Sequence, residues 1–281
     1  MASHLLIGPG KFGLGFAGDL FSRVGKLDTV ILSRSPSGHG KSSTDAVLRD
    51  ECLARHKSYR LCYDGTTFAE VGGVEILQCD YLEPSAQALF EFTKDDLRII
   101  TVSVPEGGLQ DVAALLARGI QERLRAGPES RLPVVLPFVN APSNGKKLLE
   151  RILEKLEPVA VAALSRSEGF LRDCVIDRIC SSLQIDDTGR ITVGVEKFAS
   201  IIVEQSEYTE VLRNLSSEWR LAYGHDVLRE VSDLKPWSLL KNWGLNGLHL
   251  LLATVARTPI YSKFDPSHFA EVALADVVRD V

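Results

Sequence analysis

Three side chains near the carboxyl end, Lys241, Asn246 and His249, are of the types that move a proton off an alcohol. A desolvated Lys serves as a general base near neutral pH. A carboxamide N–H₂ can hold the oxyanion that forms, and an imidazole N–H can orient a second hydroxyl. None of the three needs a metal. They lie in the run Lys241-Asn242-Trp243-Gly244-Leu245-Asn246-Gly247-Leu248-His249. At roughly 100° per residue, Lys241, His249 and Asn246 fall at about 0°, 80° and 140° around a helix, so all three can face one pocket. Singly, each has an ordinary reading as a surface Lys, a helix-facing Asn or a satisfied core His. Gly244 and Gly247 favour the set, because each costs a helix about 1 kcal/mol relative to Ala. Close approach of a ligand or of another backbone explains that cost.

The elements that must accompany these residues begin at the amino terminus. Leu5-Leu6-Ile7 reads as a strand running into Gly8-Pro9-Gly10-Lys11-Phe12-Gly13, followed by an apolar-periodic helix from Phe16 to Val24. This is G-x-G-x-x-G between strand and helix. The first glycine permits the tight turn, the second lets backbone approach a pyrophosphate, the third packs helix on strand, and the helix N-terminus favours negative charge. Gly8, Gly10, Lys11, Phe12 and Gly13 are therefore candidate cofactor-binding residues, the alternative being a structural glycine turn. Val104 and Pro105 join them, because they close the buried strand Arg98–Val104 at the carboxyl edge where cofactors lie.

A second strand, Asp28 to Leu32, ends in Ser33-Arg34-Ser35, where a protein selective for NAD usually carries Asp or Glu for the ribose 2′-hydroxyl. Ser33 and Arg34 stand there instead, with Lys41, Ser42 and Ser43 following. Arg forks onto phosphate oxygens, so these residues suit a 2′-phosphate and favour NADP over NAD. A solvated basic loop with relaxed preference is the competing reading. Gly40-Lys41-Ser42 is not a P-loop, since that pattern would require glycine at position 35, which is Ser35.

Composition bounds the function classes. The chain has 281 residues with 45% hydrophobic and 25% charged side chains, an ordinary globular balance for one or two domains. Its 32 basic and 37 acidic residues give a formal charge of −5 with no basic block, which argues against nucleic acid as a partner. The cysteines Cys52, Cys62, Cys79, Cys174 and Cys180 are scattered without C-x-x-C, which argues for reduced thiols and against a zinc site. No signal-peptide pattern or long apolar run is present, so a cytoplasmic protein without a membrane partner is expected.

Strand and helix patterns alternate along the chain. A helix over 44–55 precedes a hairpin-like series, Ser58 to Asp64, Thr66 to Val71 and Val74 to Cys79. Helices follow at Glu83 to Thr93 and Leu109 to Ala126, then the strand Pro133–Val139 ending in Asn140, then Asn144-Gly145 and a helix to Leu156. Ala160 to Ser165, Ile191 to Val195 and Phe198 to Glu204 read as further strands, and from about 207 the pattern reads as helical to the end. The expected fold class is α/β: a Rossmann-type doubly wound sheet over residues 1–206 with a smaller C-terminal helical domain over 207–281.

The glycine loop, Asn140 with Asn144-Gly145, Val175-Ile176-Asp177-Arg178-Ile179, Val195-Glu196-Lys197-Phe198, and Lys241-x₄-Asn246-x₂-His249 stand in the order and approximate spacing of one family. From about residue 4 to about residue 256 the chain resembles the polyol-specific long-chain dehydrogenases, the mannitol-1-phosphate 5-dehydrogenase and mannitol 2-dehydrogenase group. The most specific element is Lys-x₄-Asn-x₂-His.

That resemblance implies metal-independent hydride transfer between NAD(P) and a sugar alcohol or ketose, free or phosphorylated. It implies Lys241 as general base, Asn246 and Asn140 sharing an oxyanion hole, and His249 on the substrate. Asn140 also has an ordinary reading as a turn residue, while Asp177 and Arg178 divide between a site role and an internal ion pair. Three departures stand out: Val139 occupies a position usually acidic in the family, the second strand lacks its acid, and the helical portion is shorter than is common. The last is expected to remove part of the substrate wall. A nucleotide-binding sensor or partner subunit with impaired catalysis is the alternative function.

Overall fold

A computed structural model describes residues 2–35, 44–127, 131–139, 141–164 and 170–246. Their contacts divide the chain into two units, Met1–Leu234 and Lys235–Val281. The strands of the first unit are β1 (Ser3–Ile7), β2 (Asp28–Arg34), β3 (Ser58–Tyr63), β4 (Thr67–Gly72), β5 (Glu75–Cys79), β6 (Leu97–Val102) and β7 (Val134–Pro137). They continue with β8 (Cys174–Asp177), β9 (Cys180–Ile185), β10 (Ile191–Val195), β11 (Ser200–Glu204) and β12 (Leu228–Val231).

Five strands form the main sheet in the order β5-β2-β1-β6-β7, every pair parallel. Such a sheet is buried on both faces, which explains the unbroken apolar runs Leu5-Leu6-Ile7 and Ile99-Ile100. The chain steps one way from β1 to β2 and the other way from β6 to β7. Right-handed crossovers then set their connecting helices on opposite faces and leave a crevice at the carboxyl ends of β1 and β6. The connecting helix after β1, Gly13–Val24, is wound with π-type turns and is almost wholly buried. It lies against β1 and β2 on one side and β4, β10 and the helix Glu210–Tyr223 on the other. That last helix is anchored by Trp219, fully buried, whose indole N–H donates to Leu20 O at 2.9 Å.

Several elements differ from the sequence expectation. The segment read as a strand at Ala160–Ser165 is instead the helix Pro158–Leu164, because Ala is the strongest helix former and Pro is pre-set for a first helical position. The stretch read as continuously helical from 207 contains β12, a short strand given its ladder by β11. Of the three strands read as a hairpin series, β3 and β4 pair in the second sheet, β4-β3-β10-β9. Its third member, β5, crosses to the edge of the main sheet beside β2. Strands β8 and β9 flank Arg178-Ile179 and belong to two different sheets. Among the described residues no helix is long and apolar enough to cross a membrane.

Candidate functional site

The glycine turn is clamped between neighbouring strands, and its composition follows from that clamp. Gly8 has φ +92°, and a Cβ there would stand 2.4 Å from Ser103 O. Only glycine fits such a backbone. Its N–H donates to Leu32 O at 3.1 Å, so the end of β1 is tied to β2. A Cβ at Gly13 would meet Gly8 O at 2.3 Å, which lets the helix begin against the turn itself. Gly10 is different. A Cβ there would meet no protein atom, because Gly10 faces the cavity.

That cavity has a volume of about 460 Å³ and lies at the carboxyl ends of β1, β2 and β6. Gly8, Gly10, Ser33, Arg34, Val104 and Pro105 all line it, so six of the nine candidate cofactor residues are brought together. Lys11, Phe12 and Gly13 are outside its lining: Lys11 Nζ reaches Ser181 O at 3.4 Å, and Phe12 packs on Phe16 with ring centroids 5.2 Å apart. One lining residue lacks a partner. Ser103 Oγ is buried without a hydrogen bond, although an unpaired buried hydroxyl is costly. A polar ligand seated at the glycine turn can supply that bond, and the open Gly10 face leaves room for a pyrophosphate. The residues fit a dinucleotide.

At the β2 end the cavity carries two guanidinium groups, each with its own carboxylate. Arg34 Nη2 meets Asp111 Oδ2 at 2.5 Å, and its guanidinium lies 5.3 Å from the centroid of the Tyr81 ring. Tyr81 is fixed by its hydroxyl, which donates to Leu32 O at 3.0 Å; burial pushes its pKa well up. Arg49 holds Asp50 Oδ1 through Nε at 2.8 Å and Nη2 at 2.7 Å, while Ser33 Oγ donates to Asp50 Oδ2 at 2.5 Å. Arg49, Tyr81, Ser103 and Asp111 were not singled out from sequence. No spacing rule finds them, since they arrive from four different segments of the chain.

The carboxyl end of β7 is braced by Asn144, which is 2% exposed. Its Nδ2 donates to the carbonyls of Pro137 at 3.0 Å, Val139 at 2.9 Å and Cys174 at 3.0 Å. Its Oδ1 accepts from the N–H groups of Gly145 at 2.9 Å and Cys174 at 3.2 Å. Asn140 and His249 lie outside the described residues. Lys241 is half-buried on the stretch Leu240–Asn246 of the second unit. That stretch is wound with π-type turns rather than the α geometry expected. In i→i+5 turns, backbone positions 241 and 246 stand about one turn apart.

Arg178 takes the second of its two readings. Arg178 and Asp19 are both fully buried and pair at 2.7 Å. Asp19 also accepts from Tyr63 at 2.8 Å, Tyr223 at 2.7 Å and Arg23 at 2.5 Å. Burial opposes the Arg178 charge, but Asp19 and the Tyr223 hydroxyl more than offset it and raise its pKa. The network joins the glycine-loop helix to β3, to the link between β8 and β9 and to the helix Glu210–Tyr223.

A parallel doubly wound sheet with a glycine turn ending its first strand, and a cavity at the point where the strand order reverses, defines a Rossmann-type dinucleotide-binding fold. The chain belongs to the mannitol dehydrogenase Rossmann domain family, which matches residues 7–216. Among solved structures, a D-sorbitol dehydrogenase in substrate-free form is 14% identical with TM-score 0.66, over 89% of this chain and 58% of that one. Pseudomonas fluorescens mannitol 2-dehydrogenase, solved with NAD and D-mannitol, is 17% identical with TM-score 0.62, over 91% of this chain and 58% of that one. A 2-dehydropantoate 2-reductase from Geobacter metallireducens is 17% identical with TM-score 0.50, over 92% of this chain and 70% of that one. The match thus spans 58% of the length of each of the two polyol dehydrogenases.

Proposed function

We propose that this protein is a metal-independent oxidoreductase that moves a hydride between NAD(P) and a sugar alcohol, mannitol-1-phosphate or a mannitol-like polyol. The observation that carries the reading is the cavity at the glycine turn, with Gly10 open towards it and Ser103 Oγ buried in its wall without a partner. Gly8 and Gly10 would let backbone approach the pyrophosphate, and Val104 and Pro105 would bound the nicotinamide half. Arg34 and Arg49 supply the guanidinium groups for a 2′-phosphate, so NADP(H) is favoured over NAD(H). A nicotinamide cofactor held by Gly8, Gly10, Val104 and Pro105 would supply the acceptor for the hydride of the carbinol carbon. Lys241 takes the hydroxyl proton on Nζ, Asn140 and Asn246 donate to the developing oxyanion, and His249 holds a neighbouring substrate hydroxyl. The carbinol carbon is oxidised to a ketone, and the proton leaves to solvent through Lys241.

With this reading residues 1–206 would carry the cofactor and 207–281 would include the catalytic helix, the stretch 207–234 being packed within the first compact unit. Five free thiols support a cytoplasmic location. The mannitol dehydrogenase structure with NAD and D-mannitol supports the substrate class by likeness of fold. The test is absorbance at the nicotinamide band with each cofactor and a panel of polyols, ketoses and their phosphates. Turnover with a polyol and NAD(P) is the expected result. Dinucleotide binding without turnover on any of them would leave a nucleotide-binding sensor or partner subunit in its place.

A further inference from the structure

The Arg34–Asp111 pair sits where cofactor choice is made. Arg34 and Asp111 side chains are 31% and 27% exposed, so the pair is sheltered yet open enough to exchange partners. Asp111 is in the first turn of the helix Leu109–Ala126, where the helix dipole favours a negative charge. The Tyr81 ring packs on the other side of Arg34 and limits where the guanidinium can turn. The second guanidinium, Arg49, is already engaged by Asp50, itself 2% exposed. Arg34, Arg49 and Asp111 therefore line the cavity, with Asp50 buried behind Arg49, and the formal charges of the four cancel.

We propose that Asp111 is a specificity-determining residue that competes with the cofactor 2′-phosphate for Arg34. A 2′-phosphate must take the Arg34 fork from Asp111 and then stand near a carboxylate that repels it. A 2′-hydroxyl meets no such penalty and can donate to the Asp111 carboxylate. Preference is thus the difference between two opposed residues joined in one ion pair, 77 positions apart in sequence. The inference rests on the dinucleotide reading of the cavity.

The experiment is fluorescence titration of NADPH and NADH into the full chain as wild type, Asp111→Asn, Arg34→Ala and the double variant. Asp111→Asn should tighten NADPH on the order of tenfold, since a charge-assisted bond is freed and a repulsion removed. NADH should be unchanged or weakened. In the Arg34→Ala background the gain should shrink to less than about threefold, because no fork remains to be released. NADPH affinity unchanged or reduced by Asp111→Asn, or an equal gain without Arg34, overturns the proposal while NADH binding keeps the dinucleotide reading intact. If neither dinucleotide binds the folded wild type, that reading fails and the proposal with it. Asp111→Ser repeats the comparison should Asp111→Asn not fold.

Discussion

Replacing Arg178 by Met should lower stability by about 3 kcal/mol, and the structure sets that figure. Loss of one partner from a buried ion pair costs about 3–5 kcal/mol, because the other charge stays buried. Asp19 and Arg178 are both fully buried at 2.7 Å, so the pair qualifies. Asp19 keeps Arg23 at 2.5 Å and the hydroxyls of Tyr63 and Tyr223 at 2.8 and 2.7 Å, which moves the expectation to the lower end of the range. Against that, Glu196 O loses donors at 3.2 and 2.9 Å from Nε and Nη2 of Arg178. At about 2–4 °C per kcal/mol for a domain of this size, Tm should fall by roughly 6–12 °C. Calorimetry measures it directly. Arg23→Met, whose side chain is 26% exposed, should cost about 1 kcal/mol. Asp19→Asn combined with Arg178→Met should cost less than the sum of the single changes, because the pair leaves together. A drop below about 2 °C for Arg178→Met, or strict additivity in the cycle, would refute the argument that this network is a buried strut between the glycine-loop helix and its neighbours.

Three further outcomes are expected. Lys241→Ala should abolish polyol oxidation, by 10²–10⁴-fold or more, while leaving dinucleotide affinity nearly unchanged; turnover above about a tenth of wild type excludes Lys241 as the base. Asn140→Ala and Asn246→Ala should each reduce turnover roughly 10²–10³-fold, with the double variant falling short of the product; multiplicative losses would assign the two amides to different steps. His4, hydrogen-bonded to Thr29 at 3.1 Å and Thr101 at 2.8 Å, has its pKa lowered by burial from 6.5 to about 3. Folded protein therefore holds it neutral while unfolded chains protonate it, so stability falls as pH drops from 6.5 towards 3, by at most about 1.4 kcal/mol per pH unit. Urea titrations at pH 6.5 and 4.5 should show a smaller loss for His4→Asn than for wild type, and equal losses would remove His4 as a cause.

The sequence alone carried what depends on local sterics and periodicity. Gly8 was legible because a turn at φ +92° against Ser103 O tolerates no side chain, and the helix Leu109–Ala126 because its apolar spacing repeats over 18 residues. The family resemblance lay in short motifs for the same reason. Where local preference is weak, tertiary partners decided. Residues 228–231 are a strand because β11 offers an edge, and β5 leaves its apparent hairpin because β2 offers it a parallel ladder at the edge of the main sheet. Arg34 could be read as a candidate phosphate ligand from its place after the second strand. That it shares a cavity with Arg49, Tyr81 and Asp111 follows only from helices and strands converging at the carboxyl edge. Arg178 is the clearest case: its partner Asp19 is 159 residues away. A buried charge is settled by whatever opposite charge the fold delivers to it, and no pattern along the chain records that distance.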